Sequence, residues 1–405
     1  MSSLKKELLP STHLAFSNLK QRKMITTKAE RGTRHVAELV KQKLWTSNVH
    51  LAKTFQIDHL LKLLEDAEQS GHVKKKQDGE LYIYCYTPKC QLNPELWTVV
   101  TLLARGLILW IKEVDEKKHV KLIATPFLKF FNLLQDGIET NELIRNTEMW
   151  EITRKIDGSL GILFWDPTKT KWRISTKATF FSKQAEWATD FLEKNIDTNC
   201  LVKGSTYLTE ILYKKNKVVI SYDNEDLILL AGFQENGIEL TREELERIEK
   251  SSKTEYKRGF CLVDICKYDN FDNMVKIVKK LDGHKEEGIV IKLTLLNGGN
   301  YRIKVKSDEY LELHRSISWT DKQILNAMIS SVECLNDLRN KIPDESVEKF
   351  DAQVDIFYGK AKTVVLEVLN CVSILKEQGC KTKRDVGLWL KDRNYWPNGE
   401  KIIKQ

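Results

Sequence analysis

The sequence predicts an α+β fold, in which a mainly antiparallel-sheet domain is followed by an all-helical C-terminal domain. Between about residues 55 and 310, short runs of Ile, Val, Leu and aromatic residues are bounded by charged or Asn/Gly turns. Such runs are typical of strands joined by hairpin-length connections. Beyond about residue 315, apolar residues recur at helical spacing among helix-favouring neighbours. Strands followed by a separate helical region indicate an α+β chain.

Residues 1–53 are predicted to be a basic N-terminal extension. They contain 11 Lys or Arg and 3 Asp or Glu, whereas the rest of the chain contains 54 residues of each sign. The whole surplus of positive charge is therefore N-terminal. A segment of this kind suits binding to phosphate backbones, organellar targeting or a solvated tail, and the three alternatives stay open. A short helical pattern runs from Val36 to Leu44.

The predicted sheet domain, residues 54–315, contains nine short apolar runs with strand character. They are Leu81–Tyr86, Gly106–Ile111, Val120–Ala124, Gly161–Trp165, Tyr207–Tyr213, Lys217–Tyr222, Asp226–Phe233, Gly288–Leu293 and Tyr301–Val305. Two helices interrupt these strands. One begins at Thr241 with Glu244 completing a capping box, and the other covers Asp272–Leu281.

The predicted helical domain, residues 316–405, contains three segments with helical periodicity. They are Asp321–Lys341, Asp344–Gly379 and Lys383–Asp392. We therefore expect a small helical domain to follow the sheet domain directly.

Composition excludes several other classes of protein. The longest apolar stretch, Trp97–Ile111, is interrupted by Arg105 and is shorter than the roughly 20 residues of a membrane-spanning helix. The first residues lack the apolar region of a secretory signal. We expect an intracellular protein, cytoplasmic or nuclear, that does not associate with membranes, although organellar targeting is not excluded. The spacing of its eight cysteines indicates reduced thiols and not a zinc site.

A short motif in the middle of the chain has the chemistry of a nucleophile. Lys155-Ile156-Asp157-Gly158 lies between an apparent strand at Trp150–Thr153 and another that begins near Leu160, and Gly158 permits a tight turn. A lysine attacks only when it is deprotonated, and nearby cations or desolvation would lower its pKa. Attack on the α-phosphorus of a nucleotide would form a phosphoramidate and release pyrophosphate. Alone, the tetrapeptide more often marks a solvated turn.

Three further motifs follow in an order that strengthens this interpretation. Thr209-Glu210-Ile211 lies within a strand, Glu286-Glu287-Gly288 opens another, and Lys304-Val305-Lys306 places two lysines on one strand face. Lysines side by side repel each other, and a triphosphate would supply the anion between them. The alternative is a solvated sheet face. Glu287 is either a metal-bound carboxylate or an acidic residue of a turn.

Taken together, the motifs resemble the covalent nucleotidyltransferase superfamily of ligases and capping enzymes, whose catalytic domain has an ATP-grasp-like ligase fold. Ala104-Arg105-Gly106, the segment from Pro126 to Leu133 and the lysine motif resemble more closely the ATP-dependent RNA ligase 1 family, the tRNA-repair type of T-even bacteriophages. The segments Asn216 to Tyr222 and Lys304 to Tyr310 continue this resemblance. It covers about residues 55–340 and implies that residues 54–315 are an adenylyltransferase domain.

The resemblance implies a function for individual residues. Lys155 would be the adenylylated nucleophile, with Lys177 and Glu287 as further catalytic residues. Glu287 and Asp337, which belongs to Asn336-Asp337 in the helical domain, would hold the metal. The residues implied to bind the nucleotide are Tyr86, Arg105, Lys129, Phe131, Gly158, Glu210, Lys304 and Lys306.

The resemblance also implies a three-step reaction with ATP and Mg²⁺ or Mn²⁺. Lys155 would take AMP from ATP, the AMP would move to an RNA 5′-phosphate, and a 3′-hydroxyl would attack the activated end. Because no kinase or phosphatase motif accompanies these residues, a separate end-healing enzyme would prepare the 3′-hydroxyl and 5′-phosphate ends. The family suggests nicked tRNA as the substrate, and we expect a monomer.

Two other functions share parts of this pattern. A DNA ligase or a GTP-using capping enzyme uses the same lysine chemistry, but a β-barrel domain usually follows its Lys-x-Lys motif, whereas helices follow here. A non-catalytic RNA-binding relative would suit the basic extension. The sequence argues against this alternative, because every charged residue that the ligase chemistry requires is present.

Overall fold

The computed structural model describes residues 34–43, 47–214, 219–317, 321–340, 344–379 and 382–392. The chain divides into two compact units, Met1–Leu313 and His314–Gln405. The first unit contains antiparallel sheets and helices, and the described part of the second is helical. The predicted α+β fold class is therefore confirmed. The predicted domain boundaries at residues 53/54 and 315/316 remain predictions.

The strands of the first unit are β1 (Val73–Asp78), β2 (Leu81–Tyr86), β3 (Arg105–Val114), β4 (Lys117–Ala124), β5 (Phe131–Asn132), β6 (Thr147–Arg154), β7 (Ser159–Asp166), β8 (Lys171–Thr176), β9 (Thr206–Leu212), β10 (Asp226–Phe233), β11 (Cys261–Leu262), β12 (Gly288–Leu295) and β13 (Asn300–Lys306). Its helices are α1 (residues 34–43), α2 (Ile57–Gln69), α3 (Pro88–Leu92), α4 (Val99–Leu103), α5 (Thr140–Asn146), α6 (Lys183–Asn195), α7 (Arg242–Ser251), α8 (Phe271–Lys279) and the first residues of α9 (Asp308–Ile317).

These strands form three sheets. Sheet 1 has the order β1-β2-β3-β4, sheet 2 the order β11-β10-β9-β7-β8, and sheet 3 the order β5-β13-β12-β6. Neighbouring strands are antiparallel, except that the short edge strands β11 and β5 pair in parallel with β10 and β13. Short connections between consecutive strands explain why antiparallel pairing dominates.

The core of the first unit lies in three clusters that the sheets separate. One cluster lies between sheets 1 and 2, and another lies between sheet 2 and helices α6 and α7. The largest cluster joins sheets 1 and 3 to helices α1, α2, α4 and α8. Val36 and Val40 of α1, together with Leu51, belong to this largest cluster. Part of the predicted N-terminal extension thus contributes to the core.

Strand β13 explains how sheet 3 places charged side chains on one face. Tyr301, Ile303 and Val305 are buried, while the alternate positions 302, 304 and 306 are only half-buried. Because side chains alternate along a strand, the basic residues at these alternate positions share the opposite face. The prediction that Lys304 and Lys306 lie on one strand face is confirmed by this register.

Gly288 fixes the pairing of the two central strands of sheet 3. Its φ is +144°, and a Cβ there would lie 2.1 Å from the carbonyl oxygen of Val305. Only glycine permits this close approach without moving the backbone. Its carbonyl oxygen accepts a 2.8 Å hydrogen bond from the Lys155 N–H, so the same glycine connects β12 to the lysine motif.

Several sequence predictions differ from the structure. The two helices predicted among the strands correspond to α7 and α8, whereas α2 to α6 were not predicted. Residues 217 and 218 of the predicted strand Lys217–Tyr222 lie outside the described residues, and 219–222 are not a strand. The N–H groups of Val219 and Ile220 donate to the carboxylate of Asp157 and not to a neighbouring strand. Strand β1 was not predicted because only Val73 is buried in its lysine-rich sequence. The helix predicted over 321–341 is divided in two.

The described helices of the second unit are α10 (Asp321–Ser330), α11 (Val332–Asn340), α12 (Asp344–Glu377) and α13 (Lys383–Asp392). Ile324, Leu335 and Phe350 belong to one small core, and Leu375 and Trp389 belong to another. Among the helices described in the two units, none is long and apolar enough to cross a membrane.

Candidate active site

A cleft of about 440 Å³ lies between sheets 2 and 3. Sheet 2 contributes residues of β7, β8, β9 and β10, sheet 3 contributes residues of β6, β12 and β13, and sheet 1 contributes Arg105 from the start of β3. The predicted site residues that line it are Arg105, Lys155, Gly158, Lys177, Glu210, Lys304 and Lys306. Residues 200 positions apart in the chain are therefore brought to one cavity.

Lys155 is held at the cleft by an ion pair. Its Nζ donates to Oε2 of Glu287 at 2.7 Å, while Oε1 of Glu287 lies 2.7 Å from Nζ of Lys306. Glu287 is almost fully buried beneath the two lysines. One carboxylate thus fixes the positions of both ammonium groups relative to each other.

The same contact determines the protonation of Lys155. Burial lowers the pKa of Lys155, but the negative charges of Glu287 and Glu210 outweigh burial and raise its pKa above the ordinary value. Desolvation therefore acts on this pKa in the direction that the sequence suggests, but the neighbouring carboxylates have the larger effect. The sequence shows the cations near Lys155 but does not show that a buried carboxylate pairs with it.

Asp157 anchors the turn that presents Lys155. Its Oδ2 accepts hydrogen bonds from the N–H groups of Val219 and Ile220, both at 2.8 Å, and its Oδ1 accepts one from the Tyr310 hydroxyl at 2.8 Å. The Asp157 N–H donates to the hydroxyl oxygen of Tyr222 at 3.0 Å. A buried carboxylate with three donors is fully satisfied, so it holds the turn rigidly.

Gly158 allows this turn to approach β9. A Cβ at this position would lie 2.6 Å from the carbonyl oxygen of Ile211 and 3.0 Å from Cγ of Glu210. No larger residue fits without moving the backbone of β9. The glycine of the lysine motif is therefore required where Lys155 and Glu210 meet.

Three cations around the cleft are buried with little compensating charge. Burial, together with Lys129 and Lys155 nearby, lowers the pKa of Lys304 to about 6. Burial and the Arg105 guanidinium lower the pKa of Lys129 to about 8. Nη1 of Arg105 is buried without a hydrogen-bond partner among the described residues. Because buried cations need anions, this cluster favours an anionic ligand.

Glu210 carries the opposite perturbation. Burial raises its pKa to about 7, although the charges of Lys155 and Arg105 act in the other direction. Near neutral pH its carboxyl group is therefore partly protonated. In that state it can both donate and accept hydrogen bonds.

Several predicted site residues do not line the cleft. Lys129 lines a neighbouring, smaller cavity, where its Nζ lies 4.7 Å from the ring centroid of Phe131. Tyr86 and Phe131 are buried in the largest core cluster. Asp337 lies in α11, and its side chain is outside the described part of the structure. Glu287 is also not among the residues that line the cleft, and the roles of all the predicted site residues remain predictions.

Sequence reasoning missed a charged cluster at the end of the cleft away from Lys155. Lys292 and Arg302 line the cleft, and both form ion pairs with the buried carboxylate of Glu239. Arg302 was detectable, because it precedes Lys304 by two residues and so shares its strand face. Glu239 carries no such signal, because it lies in a connection after β10 and joins the cluster only in the folded chain.

The donor set at the cleft fits a divalent cation that is held mainly by its ligand. Among the described residues, no three His, Cys, Asp or Glu side chains lie close enough to enclose a metal ion. Two carboxylates, Glu151 and Glu210, line the cleft and Glu287 lies against Lys155 and Lys306, so an ion bound there would also need oxygens from the ligand. Mg²⁺ is commonly bound in this way, through one or two carboxylates together with phosphate oxygens.

Comparison with known proteins identifies the family. A model of a family described as RNA ligase matches residues 103–310, just over half of the chain. The chain belongs to the RNA ligase family. The match includes every strand from β3 to β13, and it also includes Lys155, Glu210, Glu287 and both lysines of Lys-x-Lys. The resemblance inferred from the motifs is therefore confirmed at the level of the family. No curated protein matches this RNA ligase significantly.

Solved structures show more distant similarity to this RNA ligase. An archaeal ATP-dependent RNA ligase is 12% identical, with 79% of this chain and 77% of that chain covered and a TM-score of 0.45. A candidate ATP-dependent DNA ligase from Aquifex aeolicus is 12% identical, with 78% and 80% covered and a TM-score of 0.44. A mutant Naegleria gruberi RNA ligase with ATP and Mn is 15% identical, with 43% and 54% covered and a TM-score of 0.31.

Proposed function

We propose that this RNA ligase uses ATP to join RNA 3′-hydroxyl and 5′-phosphate ends through an AMP bound covalently to Lys155. The observation that supports the proposal most directly is the position of Lys155. It lies in one cleft with Arg105, Lys304 and Lys306, and its amine is fixed by Glu287. A single nucleophilic amine beside several buried cations suits attack on a polyphosphate.

In the first step, the Lys155 ammonium group loses a proton to solvent, and the neutral Nζ attacks the α-phosphorus of ATP and releases a second proton. A phosphorus–nitrogen bond forms, and the bond to the bridging oxygen breaks to release pyrophosphate. Lys304, Lys306 and Arg105 hold the phosphate oxygens and offset the charge that develops on the leaving group. Lys177 acts with them in this proposal, which its position in the lining of the cleft supports. Glu210 holds the ribose.

In the later steps, the AMP moves to the 5′-phosphate of RNA, and the 3′-hydroxyl then displaces it. Each step exchanges one phosphate bond for another, so alignment and charge stabilisation supply most of the catalysis. Mg²⁺ or Mn²⁺, when bound, adds positive charge that stabilises the phosphate oxygens. Glu287, which is buried against Lys155 and Lys306, would help to hold the ion, and Asp337 is a further candidate ligand.

We propose nicked tRNA as the substrate, with a separate kinase and phosphatase preparing its ends. This assignment rests on the resemblance to the tRNA-repair type of RNA ligase and on the absence of a kinase or phosphatase motif from the sequence. We further propose that the enzyme acts as a monomer.

The proposal is tested by incubating the protein with radiolabelled ATP or GTP and Mg²⁺ in the absence of RNA. We expect the label from ATP to remain on the denatured protein and GTP to give little or none. A protein that takes up no label from ATP would exclude the proposed lysyl-AMP intermediate. Labelling from GTP alone would instead indicate capping-type chemistry.

Replacing the nucleophile separates the first step from the last. We expect Lys155→Ala to abolish labelling, because no other amine occupies its position, while sealing of a pre-adenylylated RNA stays measurable. Lys171→Ala is the matched control. Lys171 is an exposed lysine of β8 that pairs with Glu193 of α6, so this variant should take up the label normally. Normal charging of Lys155→Ala would place the nucleophile elsewhere.

A further inference from the structure

Helix α6 connects the cleft to a group of partly exposed aromatic side chains. Gln184, near the start of α6, lines the cleft. Trp187 and Phe191 follow it by three and seven residues, so all three lie on one face of the helix. The rings of Trp187 and Phe191 are 4.9 Å apart between centroids. An aromatic stripe therefore begins at the cleft and continues along α6.

A second connection joins the same stripe to the cleft. Tyr213 directly follows β9, the strand whose Glu210 lines the cleft, and its ring stacks on Trp187 with centroids 5.0 Å apart and planes inclined by 19°. Trp187, Phe191 and Tyr213 are all half-buried. Their inner edges pack against the core between sheet 2 and helices α6 and α7, so the rings are held rigidly and part of each remains accessible.

A cation borders this surface. The guanidinium of Arg258, which also pairs with Asp226, lies 5.3 Å from the ring centroid of Phe191. Rigid rings with a cation at their border form the kind of surface on which unpaired bases stack.

We propose that Trp187, Phe191 and Tyr213 form a stacking platform for unpaired bases of an RNA strand that enters the cleft. The proposal rests on the proposed RNA ligation and names the part of the surface that binds the RNA. Stacking on aromatic rings is available to any base but requires that the base be unpaired. The platform therefore selects single-stranded RNA beside the joint, without selecting its sequence.

Trp187→Ala tests the platform by RNA binding. Fluorescence anisotropy measures the Kd for a labelled single-stranded RNA that lacks a 5′-phosphate, so that no reaction follows. Loss of one stacked base should raise this Kd about tenfold, while the Kd for a fully double-stranded RNA stays unchanged. Trp187→Phe, which retains a ring, should restore most of the affinity. An equal loss of affinity for both RNAs would overturn the proposal.

Trp165→Ala is the matched control. Like Trp187, Trp165 is half-buried and packs on the same core cluster; it forms an edge contact with Trp172, and Nζ of Lys203 lies 3.9 Å from its ring centroid. Unlike Trp187, it does not belong to α6, and it does not line the cleft. Its replacement should leave the RNA affinity unchanged. A loss equal to that of Trp187→Ala would show that the effect comes from the core and not from a platform.

Labelling with ATP, which requires no RNA, reports whether each variant is folded. If Trp187→Ala fails to charge, Tyr213→Ala decides, because Tyr213 is half-buried and stacks on Trp187. Wild-type affinity of Tyr213→Ala for single-stranded RNA would then overturn the proposal. Failure of the wild-type protein to charge contradicts the proposed ligation, whereas unchanged RNA binding in the variants contradicts the platform alone.

Discussion

At the level of single residues, Glu287 connects Lys155, the proposed nucleophile, to the Lys-x-Lys motif. Its two oxygens bind Lys155 and Lys306, and its charge opposes the effect of burial on the pKa of Lys155. A lysine with a raised pKa is protonated below that pKa and becomes nucleophilic only as the pH rises through it. The charging rate of the free enzyme should therefore increase with pH.

Glu287→Gln is expected to shift this pH dependence. Without the carboxylate, burial dominates, so the pKa of Lys155 falls, and the midpoint of the charging rate should move to lower pH by about 1–3 units. The plateau rate should also fall, because Glu287 is proposed to act near the reacting phosphate. The measurement is the initial rate of labelling from ATP between about pH 6 and about pH 12, a range that extends above the ordinary lysine pKa.

Glu286→Gln is the control for this experiment. Glu286 is the neighbouring glutamate, but it is more exposed and contacts Arg154 at 3.4 Å instead of Lys155. Its replacement should leave the midpoint in place. A Glu287→Gln enzyme with the wild-type midpoint would contradict the electrostatic role of Glu287.

Among the site residues, those that act through local sequence were predictable. Lys155, Gly158, Lys304 and Lys306 belong to short motifs whose turn and strand geometry the neighbouring residues determine, and all four line the cleft. The pairing of Glu287 with Lys155 was not predictable, since the two residues are 132 positions apart and meet only through the register of sheet 3.

At the level of elements, Glu239 connects the segment after β10 to two strands of sheet 3. It lies in an isolated bridge with Phe233 and forms ion pairs with Lys292 of β12 and Arg302 of β13. The two cations lower its pKa, although burial acts in the opposite direction. Glu239 thus joins the two walls of the cleft across sheets 2 and 3.

Glu239→Gln should destabilise the first unit. The change leaves two largely buried cations without a counter-charge, which costs about 3–5 kcal/mol of unfolding free energy. Urea denaturation followed by tryptophan fluorescence measures the loss. Glu246→Gln removes an exposed carboxylate paired with Arg242 on α7 and should cost less than about 0.5 kcal/mol. Similar losses in both variants would contradict the proposed connection.

The elements also show where sequence patterns stop being informative. Strands β2 and β10 match their predicted bounds because their apolar runs are continuous and end at turns. The apolar run at 219–222 is not a strand, because Asp157 takes the N–H groups that a strand would have used. Such competition between a distant side chain and a strand ladder is not visible in local composition.

At the level of the whole molecule, every residue that lines the cleft belongs to the unit Met1–Leu313. Its largest core includes Val36 and Val40 from α1 and Leu51 from the following segment. The sequence predicted a basic N-terminal extension over residues 1–53, because its surplus of positive charge is a more prominent feature than its one short helical pattern. Burial of that pattern depends on partners that come later in the chain.

Removal of residues 1–53 should therefore destabilise the first unit. Each fully buried aliphatic side chain contributes about 1.5–3 kcal/mol, so the loss should exceed that of any single core substitution in α1. Thermal unfolding followed by circular dichroism measures it. Val40→Ala should lower the melting temperature, while Gln42→Ala, at an exposed position of α1, should not. A truncated chain that melts like the wild type would contradict this expectation.

The ion pair between Lys155 and Glu287 has a consequence for the enzyme between turnovers. A protonated amine does not react with the carbonyl compounds and acylating agents that modify exposed lysines. The same carboxylate that positions Lys155 thus keeps it chemically dormant while no nucleotide is bound. Once Lys155 carries AMP, its nitrogen is uncharged, and Glu287 retains Lys306 as its partner. In the proposed intermediate the ion pair between Glu287 and Lys306 therefore remains, and Glu287 can pair with Lys155 again when AMP leaves.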